Sequence, residues 1–96
     1  MTKFDFKFKE KKNVAVFTVK QIMKENKPIL FVAHDKEDGV WQFLSGDLVK
    51  SGDAMVVALE EIIKKDHAIN ELADLPLGWQ ASRSTINDEW VLTQVK

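Results

Sequence analysis

The sequence has no cysteine. That excludes disulfides, thiolate metal sites and a cysteine nucleophile. It has two prolines and four glycines in 96 residues, and no linker, internal repeat or low-complexity segment is visible. No stretch approaches the roughly 20 consecutive apolar residues of a membrane span. Met1-Thr2-Lys3-Phe4-Asp5 lacks the apolar run of a secretory signal. These absences lead us to expect a cytoplasmic protein with no membrane partner. Arginine is nearly missing as well, since Arg83 stands alone among 14 basic residues.

What is present is enough for one core. A chain of this length buries roughly 60–70% of its unfolded surface on folding, which fits one domain over residues 1–96. Hydrophobic residues make up 45% and charged residues 30%, a balance that argues against disorder. Net charge is −1, so global charge predicts neither a nucleic acid nor a membrane as partner. The charge is unevenly placed. Residues 1–30 hold eight Lys against three acids, and residues 31–96 hold six Lys or Arg against twelve acids.

Hydrophobic periodicity outlines the elements. Phe4, Phe6 and Phe8 alternate with Asp5, Lys7 and Lys9, the period of a half-buried strand. Val14 to Phe17 reads as a second strand paired with it. Thr18 and Gln21 have capping-box spacing, and Phe17 and Ile22 stand at the two positions of a hydrophobic staple. A short helix is therefore expected from Thr18, ending near Asn26 and Pro28. Ile29 to Ala33 is a continuous apolar run, the pattern of a strand buried on both faces. Gly39 closes a polar turn, and Val40 to Leu44 completes a hairpin. A loop follows to Gly52, and Asp53 is placed to cap the longest helix, over roughly residues 54–65. Asp66 caps a further helical turn. Trp79 to Ser84 and Glu89 to Gln94 read as two last strands. The expected fold is α+β, a mostly antiparallel sheet of about six strands with helices packed on one face.

Chemical motifs are few. There is no Gly-x-Ser-x-Gly elbow and no Gly-Lys-Ser/Thr phosphate loop. His34 and His67 lack the spacing that puts two imidazoles on one helical face, so no metal is expected, and no cofactor either. The Phe and Lys residues of the first segment could in principle stack bases and contact phosphates. Alternation sends them to opposite faces, so no nucleic-acid partner is expected. Asp35, Glu37 and Asp38 form an acidic cluster in the hairpin turn. Such a cluster serves solubility or an acidic interaction patch that could include Asp47. Arg83 fits a bidentate contact that lysine cannot copy, either to a structural carboxylate or to an anionic ligand.

The hairpin residues carry a resemblance. Ile29 to Asp35 followed by Gly39-Val40-Trp41-Gln42-Phe43-Leu44-Ser45-Gly46-Asp47 resembles the Trp-x-Phe-x-Ser-Gly-Asp signature of the immunity-protein-33-like family of bacterial domains. Leu75-Pro76-Leu77-Gly78, Ala81-x-Arg83 and Trp90 extend it downstream, over roughly residues 28–92. Asp66-His67-Ala68 stands where the family often has Asp-Pro-Ser. The resemblance implies a small cytosolic protein that, in some settings, neutralises a toxin by binding it. It implies no catalytic residues.

Three readings follow. The first is a non-enzymatic binding protein, with an acidic patch at Asp35, Glu37, Asp38 and Asp47 facing a basic toxin-like partner. The second is a small-ligand binder or enzyme with a pocket near Trp41, Asp47, Arg83 and Trp90. The third is a domain acting through self-association.

Overall fold

A computed structural model of the chain describes residues 5–95. Six short strands form one sheet: β1 (Ala15–Val19), β2 (Phe31–His34), β3 (Trp41–Leu44), β4 (Ala54–Ala58), β5 (Trp79–Ser82) and β6 (Val91–Gln94). Their spatial order is β4-β1-β3-β2-β5-β6. The β1–β3 pairing is parallel and the other neighbours are antiparallel, so the sheet is mixed. The helical elements are few and short: α1 (Lys20–Met23), α2 (Leu59–Lys65) and a 3-10 helix over His67–Leu72.

The β2–β3 hairpin lies at the centre of the sheet, as its apolar run predicts. Phe31 pairs with Leu44 and His34 with Trp41. Gly39 takes a positive φ of 72° in the turn, a conformation open to glycine at little cost. Alternation then sorts side chains between faces. Val16 of β1, Val32 of β2, Trp41 and Phe43 of β3 and Ala81 of β5 are buried in one cluster with Ile22, Leu59, Ile62, Ile63, Ile69 and Leu72 of the helical elements. Full burial of one Leu or Ile side chain is worth about 1.5–3 kcal/mol, so α2, with three such residues in seven, is held by packing. The alternate positions are less covered. Phe31 and Ala33 are half-buried, so β2 is not buried on both faces as expected.

Three local expectations are corrected. Residues 5–8 form no strand, and β1 pairs with β3 and β4 instead of with them; Phe4 lies outside the described residues. The alternation survives without a ladder. Phe8 is buried, packing edge-on against Trp41 with ring centroids 5.0 Å apart. The Asn70 side chain accepts from the Lys7 N–H and donates to the Asp5 carbonyl, fixing this segment against the 3-10 helix.

The capping box at Thr18 is not formed. Thr18 is a buried strand residue whose hydroxyl donates to the Phe43 carbonyl at 2.8 Å. A helix starting there would lose the β1–β4 ladder, in which Thr18 stands opposite Met55. Phe17 stays exposed on the sheet and makes no staple, while Ile22 is buried. The chain turns into α1 only at Lys20, whose N–H donates to the Asp53 carbonyl. The helix ends earlier than expected, at Met23 with Lys24 as its C-cap, but Asn26 does take a positive φ of 57° ahead of Pro28.

The helix expected over 54–65 divides. Ala54–Ala58 is an edge strand, and only Leu59–Lys65 is helical. Val56 and Val57 are β-branched and favour the extended form, and the ladder with β1 stabilises it. Asp53 accordingly caps no helix. The first N–H groups of α2 are taken by backbone carbonyls of a distant loop, Leu59 donating to Val14 and Glu60 to Lys12. Asp66 does cap the next segment, accepting from the Ala68 N–H at 3.0 Å.

Candidate functional site

The sheet has two ends, and the polar residues singled out by the sequence divide between them. At the end where β2 begins, Arg83 follows directly on β5. Its own N–H donates to the Leu30 carbonyl. Its guanidinium donates from Nε and Nη2 to the Ile29 carbonyl, at 3.1 and 2.8 Å, and from Nη2 to Asp66 Oδ2. The planar group lies 4.1 Å from the centre of the Trp90 ring. One buried side chain thus ties the entry to β2, the cap of the 3-10 helix and the β5–β6 hairpin. A lysine ammonium has no plane to stack and no fork for this geometry. Trp90 is half-buried, and its indole Nε1 has no acceptor among the described residues.

Asp47 belongs to the same end, because Phe31 pairs with both Leu44 and Ser82. It is exposed and accepts from the buried Ser45 hydroxyl at 3.3 Å. Gly46, at φ 87°, brings this loop against Leu30. Beyond it Leu48 is 84% exposed, an apolar loop side chain that periodicity cannot flag. Next to the Arg83 cluster is a groove of about 650 Å³ whose lining includes the apolar Ile22, Pro28 and Ile86 and the charged Lys27, Lys65 and Asp66.

Trp41 lies in the core and lines neither groove. Its ring stacks on His34 at 3.9 Å and its Nε1 donates to Glu10 Oε2 at 2.8 Å. His34 Nδ1 is 2.8 Å from the Leu75 carbonyl, so Nδ1 carries the proton, since a carbonyl can only accept. Its Nε2 lies 4.0 Å from the same Glu10 oxygen. Sequence reasoning missed this Glu10–His34–Trp41 cluster. Glu10 sits in a polar turn with no periodic pattern, and only the fold brings it to β3.

At the other end of the hairpin, the acids are turn formers. Asp38 accepts from the Val40 N–H at 3.0 Å, and Asp35 accepts from the Gln42 side chain at 3.1 Å. Glu37 is exposed with no side-chain bond among the described residues. Asp35, Glu37 and His34 line a second groove of about 610 Å³ that reaches Trp79 and Gln94. The fold holds the Asp53 carboxyl below its ordinary range. The Lys50 backbone N–H is the main cause, the Gln21 amide adds to it, burial opposes, and Lys20 at 3.6 Å helps.

Among the described residues, no three His, Asp or Glu side chains converge as metal ligands, and no helix is long and apolar enough to cross a membrane. Fold and site together define a small α+β protein with an uncovered sheet face and an acidic hairpin tip. No family model, curated protein or solved structure matches the chain.

Proposed function

We propose that this is a small non-enzymatic binding protein of the cytoplasm, an immunity-like protein that neutralises a toxin by covering part of its surface. The observation that carries the reading is the uncovered face of the sheet. Helical elements pack on one face, while the other presents Phe17 at 45% and Val91 at 63% exposure. Exposed apolar side chains across the sheet, with an acidic tip at one end of its central hairpin, suit a protein partner with a basic rim. The resemblance of the Trp41-to-Asp47 segment to the immunity-protein-33-like family supports the same class.

The test is capture from the source cells with the wild-type chain and with Val91→Asp and Glu37→Lys. We expect one protein to be retained by the wild type and lost from both variants, with their urea midpoints unchanged. Equal capture by all three would end this reading.

The groove beside Asp66 favours a second reading, a site for a small anionic molecule held between Lys27 and Lys65. A ligand of that kind would raise the thermal midpoint, and the rise would keep growing with the logarithm of its concentration above the dissociation constant. Lys27→Ala would remove the rise.

A further inference from the structure

We propose that β4 is a pairing edge, through which two copies of the chain join their sheets antiparallel about Val56.

The backbone geometry fixes which groups are available. Leu59 donates to the Val14 carbonyl and Lys20 to the Asp53 carbonyl, and both pairs fall in the register that sets Val16 opposite Val57. In an antiparallel ladder the bonded pairs recur at every second position. Met55 and Val57 therefore bond to β1. Ala54, Val56 and Ala58 turn their N–H and C=O groups away from it. β4 is the terminal strand of the sheet. Ala54 and Val56 take part in no other hydrogen bond among the described residues, and the Ala58 N–H is likewise open, while the Ala58 carbonyl, at the N-cap of α2, accepts within that helix.

Natural edge strands are usually blunted by lysine, proline, a bulge or a covering element. The Ala-Met-Val-Val-Ala sequence of β4 carries no charge and no proline. Its middle residue, Val56, is 61% exposed and lies beside the exposed Phe17. The opposite edge differs: β6 turns only Leu92 and Gln94 outward, by the same reasoning from the Val95-to-Gly78 bond.

The occupant that fits is a second copy. Val56 is the centre of the outward-facing triplet, so a two-fold pairing sets Val56 against Val56, each exchanging N–H and C=O with the other, and brings each Ala58 N–H to the Ala54 carbonyl of the other copy. Such an isologous contact is closed and self-complementary. The ends agree in charge. Lys50 precedes β4, exposed and without an ion pair among the described residues, and Glu60 follows it in the first turn of α2, where the neighbouring Glu61 is already paired with Lys64. Antiparallel pairing brings the basic start of each strand towards the acidic end of the other. The pairing also continues the apolar row from Phe17 through both Val56 side chains. A single short edge buries less than a standard interface, so the dissociation constant is expected at roughly 10–100 µM. This inference does not depend on the partner reading above, since Val91 and Glu37 lie away from β4.

Sedimentation velocity on the full chain from about 5 µM to 1 mM tests it, the range being set by that affinity. We expect a monomer–dimer equilibrium that shifts towards monomer in high salt. Val56→Pro removes an outward N–H and no β1 bond, so it should stay folded by circular dichroism and weaken dimerisation at least about tenfold. Lys50→Glu and Glu60→Lys should each weaken it several-fold, and the two together should restore it. These charge variants decide the matter should Val56→Pro fail to fold. A wild type that stays monomeric throughout the range would overturn the proposal. So would a dimer insensitive to the charge substitutions.

Discussion

The two ends of the β2–β3 hairpin use polar residues for different purposes. At the start of β2, Arg83 is buried and committed to the Ile29 carbonyl, Asp66 and the Trp90 ring. At the hairpin tip, Asp38 accepts from the Val40 N–H of its own turn, Asp35 accepts from the Gln42 side chain of β3, and Glu37 is exposed. Removing a group from the first end leaves buried partners unsatisfied, and the desolvation of those partners sets the penalty. Removing a group from the second returns its partners to water. The two polar sets therefore differ in what they contribute, and burial makes the difference.

The same contrast runs between the faces of the hairpin, and it gives the largest expected effect. Phe43 is fully buried on the helix-covered face, so Phe43→Ala should lower stability by about 3–5 kcal/mol. Phe31 is half-buried on the other face, and Phe31→Ala should cost about 1–2 kcal/mol. Urea unfolding of both variants checks the ranking, and equal losses would mean that the two faces are covered alike.

Next in size is Arg83. Arg83→Lys keeps the charge but loses the stack and the fork, and should lower stability by about 2–3 kcal/mol. Glu37→Lys at the opposite end should stay within about 0.5 kcal/mol of wild type. The pair of denaturation midpoints measures the difference between the ends. Thr18→Val then isolates one buried hydrogen bond, and a loss of about 1 kcal/mol is expected.

The smallest expected effect is on pH. The folded protein holds Asp53 below its ordinary carboxylate range. Its contribution to stability is therefore complete above the unfolded value, near 3.9, and is lost as pH falls below that value towards the folded one. Thermal midpoints from pH 6 to pH 3 should fall less steeply for Asp53→Asn than for wild type over the lowest unit. Parallel profiles would show that Asp53 adds nothing to acid sensitivity.

Much of the fold was legible in the sequence. The central hairpin, the turn at Gly39, the positive φ at Asn26 ahead of Pro28, the cap at Asp66 and the last two strands all rest on local signals, namely apolar runs and residues that tolerate positive φ. Long-range pairing was not legible. Thr18 has the spacing of a cap, but its partner is the Phe43 carbonyl, 25 residues away. Residues 54–58 share their apolar positions with a helical stripe, and only the neighbouring β1 ladder selects the strand. Of the candidate site, the structural alternative for Arg83 was visible in its being the one arginine. Its carboxylate partner was not, because 17 residues separate it from Asp66. Trp41 was read as lining a pocket because an aromatic in a signature suggests a site; its buried partners, Glu10 and His34, come from segments that only the fold brings together.

A double-mutant cycle on Arg83 and Asp66 tests the central contrast most directly. Asp66→Asn keeps an N-cap side chain and removes the charge that Arg83 meets. Urea unfolding of Arg83→Lys, Asp66→Asn and the double variant gives their coupling. Arg83 acting as a buried tie predicts a coupling of at least about 1 kcal/mol. Additive losses, with no coupling, would contradict that role and return Arg83 to the list of residues available to a ligand.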